Sequence, residues 1–259
     1  MRIRVMSFNI RCACAPDGEH CWDRRRSLVI ERIRAFEPDL LGLQECRDDE
    51  QAAYVRAALP DYVMVGVRRG GEADIEMAPL LYRSACFEEL ERGHFWLGRD
   101  PSAAGERSWG AAYPRTASWV RLRPCEGRAP AFVFLNTHFD YQGRSREESA
   151  RQIRRWLLAR PAAERAIVTG DFNAGRDSET FRELTAGGAL HEALHALGVE
   201  SGSFHDYGRM AAPEAIDWIL ASSRFGIETA AVDRFVRGGR FASDHYPVTA
   251  CLADRLSQR

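Results

Sequence analysis

The feature that most constrains this chain is a repeated local pattern: a short apolar run ends abruptly in hydrogen-bonding or ionisable side chains. Residues 3–9 close on Asn9, and 39–44 close on Gln44 with Glu45 next. Residues 131–138 close on Asn136 and His138, with Asp140 just beyond, and 165–170 run into Asp171 and Asn173. Asp217 sits in another such run, and Ser243, Asp244 and His245 precede the last, near 246–252. Apolar runs of this length bounded by turn signals predict strands. One polar group at one strand end means little, because strand ends meet water. Five or six ends carrying acid, amide and imidazole groups can converge on one edge, which is how a loop-built site sits on a rigid scaffold.

Helical spacing appears between the strands. Leu28, Val29, Ile33 and Phe36 share one face over 23–36, arginines mostly occupy the other, and Pro38 ends the helix. A second helix is predicted over 47–59, stopping at Pro60, a third over 144–159 with Ile153, Trp156 and Leu157 inward, and a fourth over 178–197. Further strands are expected near 62–67, 78–83, 87–97, 116–122, 215–221 and 227–235, with glycine-punctuated loops at 66–71, 98–110 and 201–213. No repeat and no low-complexity linker divides the chain. Many strands with few helices predict a layered α/β sandwich forming one domain.

Composition narrows the function classes. At 259 residues and 45% hydrophobic content the chain can bury a sizeable core. A net charge of −1 gives no domain-wide electrostatic footprint for nucleic acid, although a local basic face remains open. All 36 Lys+Arg positions are arginine, as codon bias alone can produce. The start, Met1-Arg2-Ile3-Arg4-Val5, reads as a strand rather than a secretory signal, and no run approaches a membrane span, so a soluble, cytoplasmic protein is expected. Cys12, Cys14 and Cys21 lack the paired spacing of a zinc site and are expected to be reduced thiols along a loop. Cys46, Cys86, Cys125 and Cys251 read as small buried hydrophobes.

The polar groups suit phosphoryl chemistry. Oxygen donors without a cysteine partner favour magnesium or manganese over zinc. Hydrolysis of a phosphate ester needs its developing charge neutralised, a water oriented and a leaving oxygen stabilised. Glu45 can hold the cation. Asp171 can orient or deprotonate water, with Asn173 and Asn9 hydrogen-bonding around the phosphate. His245 and His138 can stabilise phosphoryl oxygens or relay protons, and Asp217 can fix the tautomer of His245.

These pieces, taken in order, resemble the endonuclease/exonuclease/phosphatase superfamily, whose members include deoxyribonuclease I, apurinic endonucleases, deadenylases, inositol polyphosphate 5-phosphatases and neutral sphingomyelinases. The matches are Ser7-Phe8-Asn9-Ile10, Gln44-Glu45, Asn136-Thr137-His138, Gly170-Asp171-Phe172-Asn173, Ile216-Asp217 and Ser243-Asp244-His245. Gln-Glu alone carries no information, whereas Gly-Asp-Phe-Asn after an apolar strand and the closing Ser-Asp-His-Tyr-Pro-Val are specific. The resemblance implies a four-layered α/β sandwich, two packed sheets with helices outside. It implies Glu45 as main metal ligand with Asn9 and Asp244 close to the metal. It implies Asp171 and Asn173 at the nucleophile and phosphate, an Asp217–His245 dyad, and His138 on the scissile phosphate.

A narrower resemblance to a compact bacterial branch rests on Trp22-Asp23-Arg24-Arg25, Phe95-Trp96-Leu97, Trp109-Gly110-Ala111 and Pro114-Arg115-Thr116-Ala117-Ser118-Trp119, with Phe204-His205 ahead of Ile216-Asp217. It adds Arg115 and His205 as substrate-binding candidates, since guanidinium geometry suits phosphate. Two departures stand out. Arg11 occupies a position where apurinic endonucleases carry an acid, and Tyr141 follows Asp140 where close relatives often have histidine.

Asp140 is either a turn residue or a substrate contact. Trp96, Trp109 and Trp119 suit packing better than base stacking. Arg24-Arg25-Arg26 reads as a solvated helix end, although it can also steer an anion. The expected partner is a phosphate ester, either a small molecule, a nucleotide or nucleic acid, and no protein partner is evident. The competing class is a non-catalytic phosphate-binding module on the same scaffold, which would predict broken catalytic positions.

Overall fold

In the computed structural model, residues 1–127, 129–161 and 165–254 are described. The first half contains β1 (Arg2–Asn9), α1 (Trp22–Phe36), β2 (Leu40–Gln44), β3 (Cys46–Arg47), α2 (Glu50–Ala58), β4 (Tyr62–Val65), β5 (Glu76–Met77), β6 (Leu80–Arg83) and β7 (Phe87–Trp96). The second contains β8 (Thr116–Pro124), β9 (Phe132–His138), α3 (Gly143–Leu158), β10 (Arg165–Asp171), α4 (Glu179–Thr185), β11 (Leu190–Glu192), α5 (Ala193–Ala196), β12 (Asp217–Ser222), β13 (Phe225–Val232) and β14 (Val248–Asp254).

Two six-stranded mixed sheets dominate, in the orders β13-β14-β1-β2-β6-β4 and β11-β12-β10-β9-β8-β7, with β3 and β5 forming a separate pair. Three apolar cores separate four layers. Between the sheets lie Ile3, Val5, Leu40 and Leu80 from one and Val120, Phe132, Phe134, Ile167 and Ile219 from the other. Outside the first sheet, Met6, Phe8, Leu41 and Leu43 pack on Leu28, Val29 and Ile33 of α1 and Ala52 and Val55 of α2. Outside the second, Val133, Leu135 and Val168 pack on Ala150 and Ile153 of α3 and Phe181 and Leu184 of α4. The four-layered sandwich inferred from the motifs is therefore the fold observed.

The period-two alternation of strands builds the site. Side chains at i and i+2 share a face. Val5 faces the other sheet, so Ser7 and Asn9 do as well. Phe132 and Phe134 place Asn136 and His138 there, Ile167 places Thr169 and Asp171, and Ile219 places Asp217. Each strand is thus apolar along the shared core and polar at one end. Register aligns those ends: Asn9 pairs with Gln44, and Asp171 lies between His138 and Asp217. Just below them an amide network bridges the sheets. Gln44 Nε2 donates to Asn136 Oδ1 at 2.7 Å, Thr169 Oγ1 donates to the same oxygen at 2.9 Å, and Asn136 Nδ2 donates to the carbonyls of Leu43 and Pro79 at 2.7 and 2.9 Å. The sheets approach so closely that a Cβ on Gly42 would lie 2.1 Å from Thr169 Oγ1 and 2.3 Å from Asn136 Oδ1.

The structure corrects several expectations. The helix predicted over 178–197 is α4, a left-handed kink at Gly187 (φ 70°), edge strand β11 and the single turn α5. Glycine readily adopts that backbone, and pairing of β11 with β12 outweighs local helical spacing. Arg25 is not solvated. It is buried and donates to the carbonyls of His20 (2.9 Å), Arg11 (2.8 Å), Ala242 (3.1 Å) and Ile10. Cys12 and Cys14 form a disulfide rather than remaining thiols. Of the four scattered cysteines only Cys46 is buried; Cys86 and Cys251 are half-buried and Cys125 is exposed.

Candidate active site

Asn9 is the hub. Its Nδ2 donates to Glu45 Oε1 at 3.0 Å and to Asp171 Oδ2 at 2.9 Å, linking one carboxylate from each sheet. Its Oδ1 accepts from Arg11 N at 2.9 Å. With its amide oriented this way, Asn9 aligns the two acids and turns its oxygen to the following loop. The other oxygen of Glu45 accepts from Cys12 N at 2.9 Å. Three residues here hold left-handed backbone, Arg11 (φ 56°), Glu45 (φ 59°) and Asn173 (φ 48°). Such conformations cost about 1–3 kcal/mol each and persist where surrounding contacts enforce them. At Glu45 the twist interrupts β2 and brings the carboxylate beside Asn9.

Asp171 sits among the polar ends. Its Oδ1 accepts from Asn173 N at 2.9 Å, and its Oδ2 lies 3.5 Å from His138 Nε2 and 3.8 Å from His245 Nε2. His245 Nδ1 lies 2.7 Å from Asp217 Oδ2, which also accepts from Ser203 Oγ at 2.6 Å. Asn173 Nδ2 contacts His138 Nε2 at 3.2 Å and donates to Phe139 O at 2.9 Å. The other face of His138 looks toward Glu76, with Nδ1 3.9 Å from Glu76 Oε1.

Burial and charge set the protonation states. Burial pushes Asp171 up to about 7, the negative charge of Asp217 adds to this, and His245, Asn9 and the Asn173 amide oppose it. Burial alone would neutralise His245, yet Asp217, Asp171 and Asp244 more than offset it and hold the imidazolium up to about 10. His138 goes the other way: burial and the charges of Arg115 and Arg69 drive it well below the ordinary histidine value. One imidazole is thus charged and the other neutral. Glu76 is pushed up to about 7, chiefly by burial. Glu45 is also penalised by burial, but Arg11, the Cys12 amide and Asn9 leave it below the usual carboxylate range.

The oxygen donors fit a divalent cation. Glu45 and Asp244 both face the guanidinium of Arg11, with Arg11 Nη1 3.9 Å from Glu45 Oε2 and Arg11 Nε 3.5 Å from Asp244 Oδ2. Ser243 Oγ donates to Asp244 Oδ1 at 3.0 Å and steadies it. Two buried carboxylates aimed at positive charge, with no sulfur among them, are a hard-cation donor set. Ligand atoms of Asp171, Asp217 and His245 also lie within 4.8 Å of one another. That trio is a poorer cation site, because Asp217 and His245 already spend their facing atoms on each other.

Three substrate-binding candidates lie at different depths. Arg115 is buried, with only the Tyr141 phenol close to its guanidinium as a hydrogen-bonding partner, and Glu76 and Asp140 flank it at 3.8 and 3.7 Å. Asp140 is wholly enclosed and accepts from the backbone nitrogens of Ala112 (3.1 Å), Tyr113 (3.0 Å) and Gln142 (3.1 Å), so it pins two loops together. His205 is buried behind Asp244, whose carbonyl accepts from His205 N at 2.9 Å, while its Nδ1 accepts from Gly208 N at 3.1 Å and its ring stacks on Tyr246. Sequence reasoning missed Glu76, Arg69 and Ser203. Glu76 had a usable signal, an acid just before the apolar strand at Leu80. The others act through contacts between segments far apart in the chain.

Comparison with known proteins places the chain in a family. The family model described as "Endonuclease/Exonuclease/phosphatase family" matches residues 6–245. An endonuclease/exonuclease/phosphatase from Bacteroides vulgatus is 30% identical, with a TM-score of 0.91 over 98% of this chain and 99% of that one. A mannosyl-6-phosphatase from Bacteroides thetaiotaomicron is also 30% identical, with a TM-score of 0.86 over 97% and 99%. The human Nocturnin catalytic domain with bound sulfate, at 20% identity and a TM-score of 0.76 over 98% and 93%, shares the fold. No curated protein matches the chain. No helix among the described residues is long and apolar enough to cross a membrane.

Proposed function

Because the chain belongs to the endonuclease/exonuclease/phosphatase family, we propose that it is a divalent-metal-dependent phosphoesterase acting on small phosphate esters. The observation that carries the reading is Asp171, held by Asn9 and the Asn173 amide within 3.8 Å of both imidazoles, one charged and one neutral. A sugar phosphate is the first natural class to test, since one relative at 30% identity is a mannosyl-6-phosphatase.

In this reading Glu45 and Asp244 would hold magnesium or manganese, which when bound neutralises charge on a phosphoryl oxygen. Asp171, with a carboxyl poised near neutrality, accepts a proton from the attacking water. The new P–O bond forms on the water oxygen as the ester P–O bond breaks. His245, kept protonated by Asp217, donates to the departing or phosphoryl oxygen. Neutral His138 and Asn173 hydrogen-bond to the phosphoryl group, and Arg115 supplies guanidinium donors. Asp140 and His205 serve this arrangement from behind, by fixing the loops that carry Tyr113 and Asp244.

The test is hydrolysis of a chromogenic phosphodiester, the matching monoester and hexose 6-phosphates, with magnesium, with manganese and with chelator. Metal-dependent turnover that is lost in Asp171→Ala and His245→Ala, both still folded, is the expected result. Near-wild-type turnover in either variant would sink these roles. No metal-dependent turnover of any ester would favour a phosphate-binding module.

A further inference from the structure

Beside the candidate phosphate position the structure carries an aromatic corner that the mechanism does not use. Tyr113 and Tyr141 are 41% and 52% exposed, and they are the two aromatic residues among the exposed large apolar side chains of the described residues. Exposed aromatics on a soluble surface are ordinary singly, and informative when adjacent. Here the ring centroids lie 6.2 Å apart at an interplanar angle of 82°, making an L-shaped corner. The two residues come from different loops, and the carboxylate of Asp140 holds both loops through the amides of Tyr113 and Gln142. The two backbones that carry the corner are therefore tied together.

Beneath it lies Arg115, whose guanidinium carbon is 5.6 Å from the centroid of Tyr113 and 5.5 Å from that of Tyr141. Arg115 is only 3% exposed, and apart from the Tyr141 phenol its nitrogens find no hydrogen-bond partner, so donors remain for a ligand oxygen. Arg69 covers Tyr113 at 4.7 Å. The Tyr141 phenol is raised first by burial, and it also senses the charges of Arg115, Glu45 and Asp171. Its hydroxyl meets Arg115, and about half of the side chain stays open to solvent.

We propose that Tyr113 and Tyr141 form a ring-binding wall, selecting phosphate esters whose alcohol carries a flat-faced ring next to the phosphate. Arg115 holds the phosphoryl oxygens, and the ring packs into the corner above it. Aromatic contact suits both the C–H face of a saturated ring and the π face of an aryl group. The inference rests on the phosphoesterase reading for the phosphate position, but its test needs no turnover.

The experiment is calorimetric titration of the intact protein, in magnesium buffer, with methyl-, cyclohexyl- and phenylphosphonate. The wild type should bind at least one ring phosphonate about five- to a hundredfold tighter than the methyl compound. Cyclohexyl at least matching phenyl points to a sugar-like ring, and phenyl well ahead points to a base-like one. Tyr141→Ala should collapse the ring preference to within about twofold, whereas Tyr141→Phe should retain the preference. Tyr113→Ala should weaken it in part. Equal binding of all three by the wild type, no binding of any, or a preference that survives Tyr141→Ala would overturn the wall. Ring-selective phosphonate binding, together with no metal-dependent turnover of any of the esters named above, would instead refute the enzymatic reading and leave the wall standing.

Discussion

Replacing Asp217 with asparagine removes one negative charge and almost no volume from a wholly buried pair. In the wild type, Asp217 Oδ2 lies 2.7 Å from His245 Nδ1 and accepts from Ser203 Oγ at 2.6 Å. His245 is held up to about 10 against an ordinary value of 6.5. At about 1.4 kcal/mol per unit, this is a net of about 5 kcal/mol favouring the imidazolium, left after Asp217, Asp171 and Asp244 have offset the burial penalty. Without the Asp217 charge, burial dominates and the imidazole loses its proton below neutrality. A proton donor present in the wild type at about pH 7.5 is then largely absent, and general-acid assistance is worth about 10²–10⁴ in rate. The assay is steady-state hydrolysis of whichever ester is turned over, from about pH 5.5 to about pH 9. The expected result is kcat reduced by about 10²–10⁴ at neutral pH, KM within a few-fold, and partial recovery toward acid. Stability supplies an independent readout. A folded-state histidine value raised above the unfolded one contributes stability fully present below about 6.5 and lost as pH rises through about 10. The gap between wild type and Asp217→Asn in denaturant midpoint should therefore be widest at acid pH and close toward pH 10. A variant within about threefold of wild-type kcat, or a midpoint gap independent of pH, would refute the reasoning.

Other consequences follow from single contacts. Gly42→Ala pushes a Cβ into Thr169 and Asn136 between the sheets, so thermal unfolding should register a loss of about 1–3 kcal/mol; an unchanged melting temperature would mean that the sheets separate easily. Arg25→Met leaves the carbonyls of His20, Arg11, Ala242 and Ile10 without their shared donor, so a loss of about 2–4 kcal/mol in denaturant unfolding is expected, and Arg25→Lys should restore little of it. Arg11→Ala removes the positive charge facing Glu45 and Asp244; the metal-free protein should melt lower, and added manganese should raise its melting temperature by more than it raises that of the wild type. Glu45→Gln should abolish most of that manganese-induced rise, and a full rise in this variant would move the cation elsewhere.

The alternation that ends in Asn9, His138, Asp171 and Asp217 was readable in one dimension because strand geometry is local. A residue two places beyond an inward Val5 or Ile167 must face inward as well. The motif order, the two sheets and helices α1 and α3 follow from the same short-range periodicity. The disulfide of Cys12 and Cys14, the burial of Arg25 and the breaking of the segment after Thr185 do not, because each depends on what a distant segment places alongside. Glu76 shows the boundary well. Alone it is an acid before a strand, and it gains meaning only when β5 comes beside His138 and Arg115. The sequence by itself determined which polar groups reach the shared edge, because the pleat has a fixed period. Tertiary structure decided their states. Whether an imidazole is charged like His245 or neutral like His138 depends on burial and on neighbours brought from across the chain, and no local pattern encodes that distance.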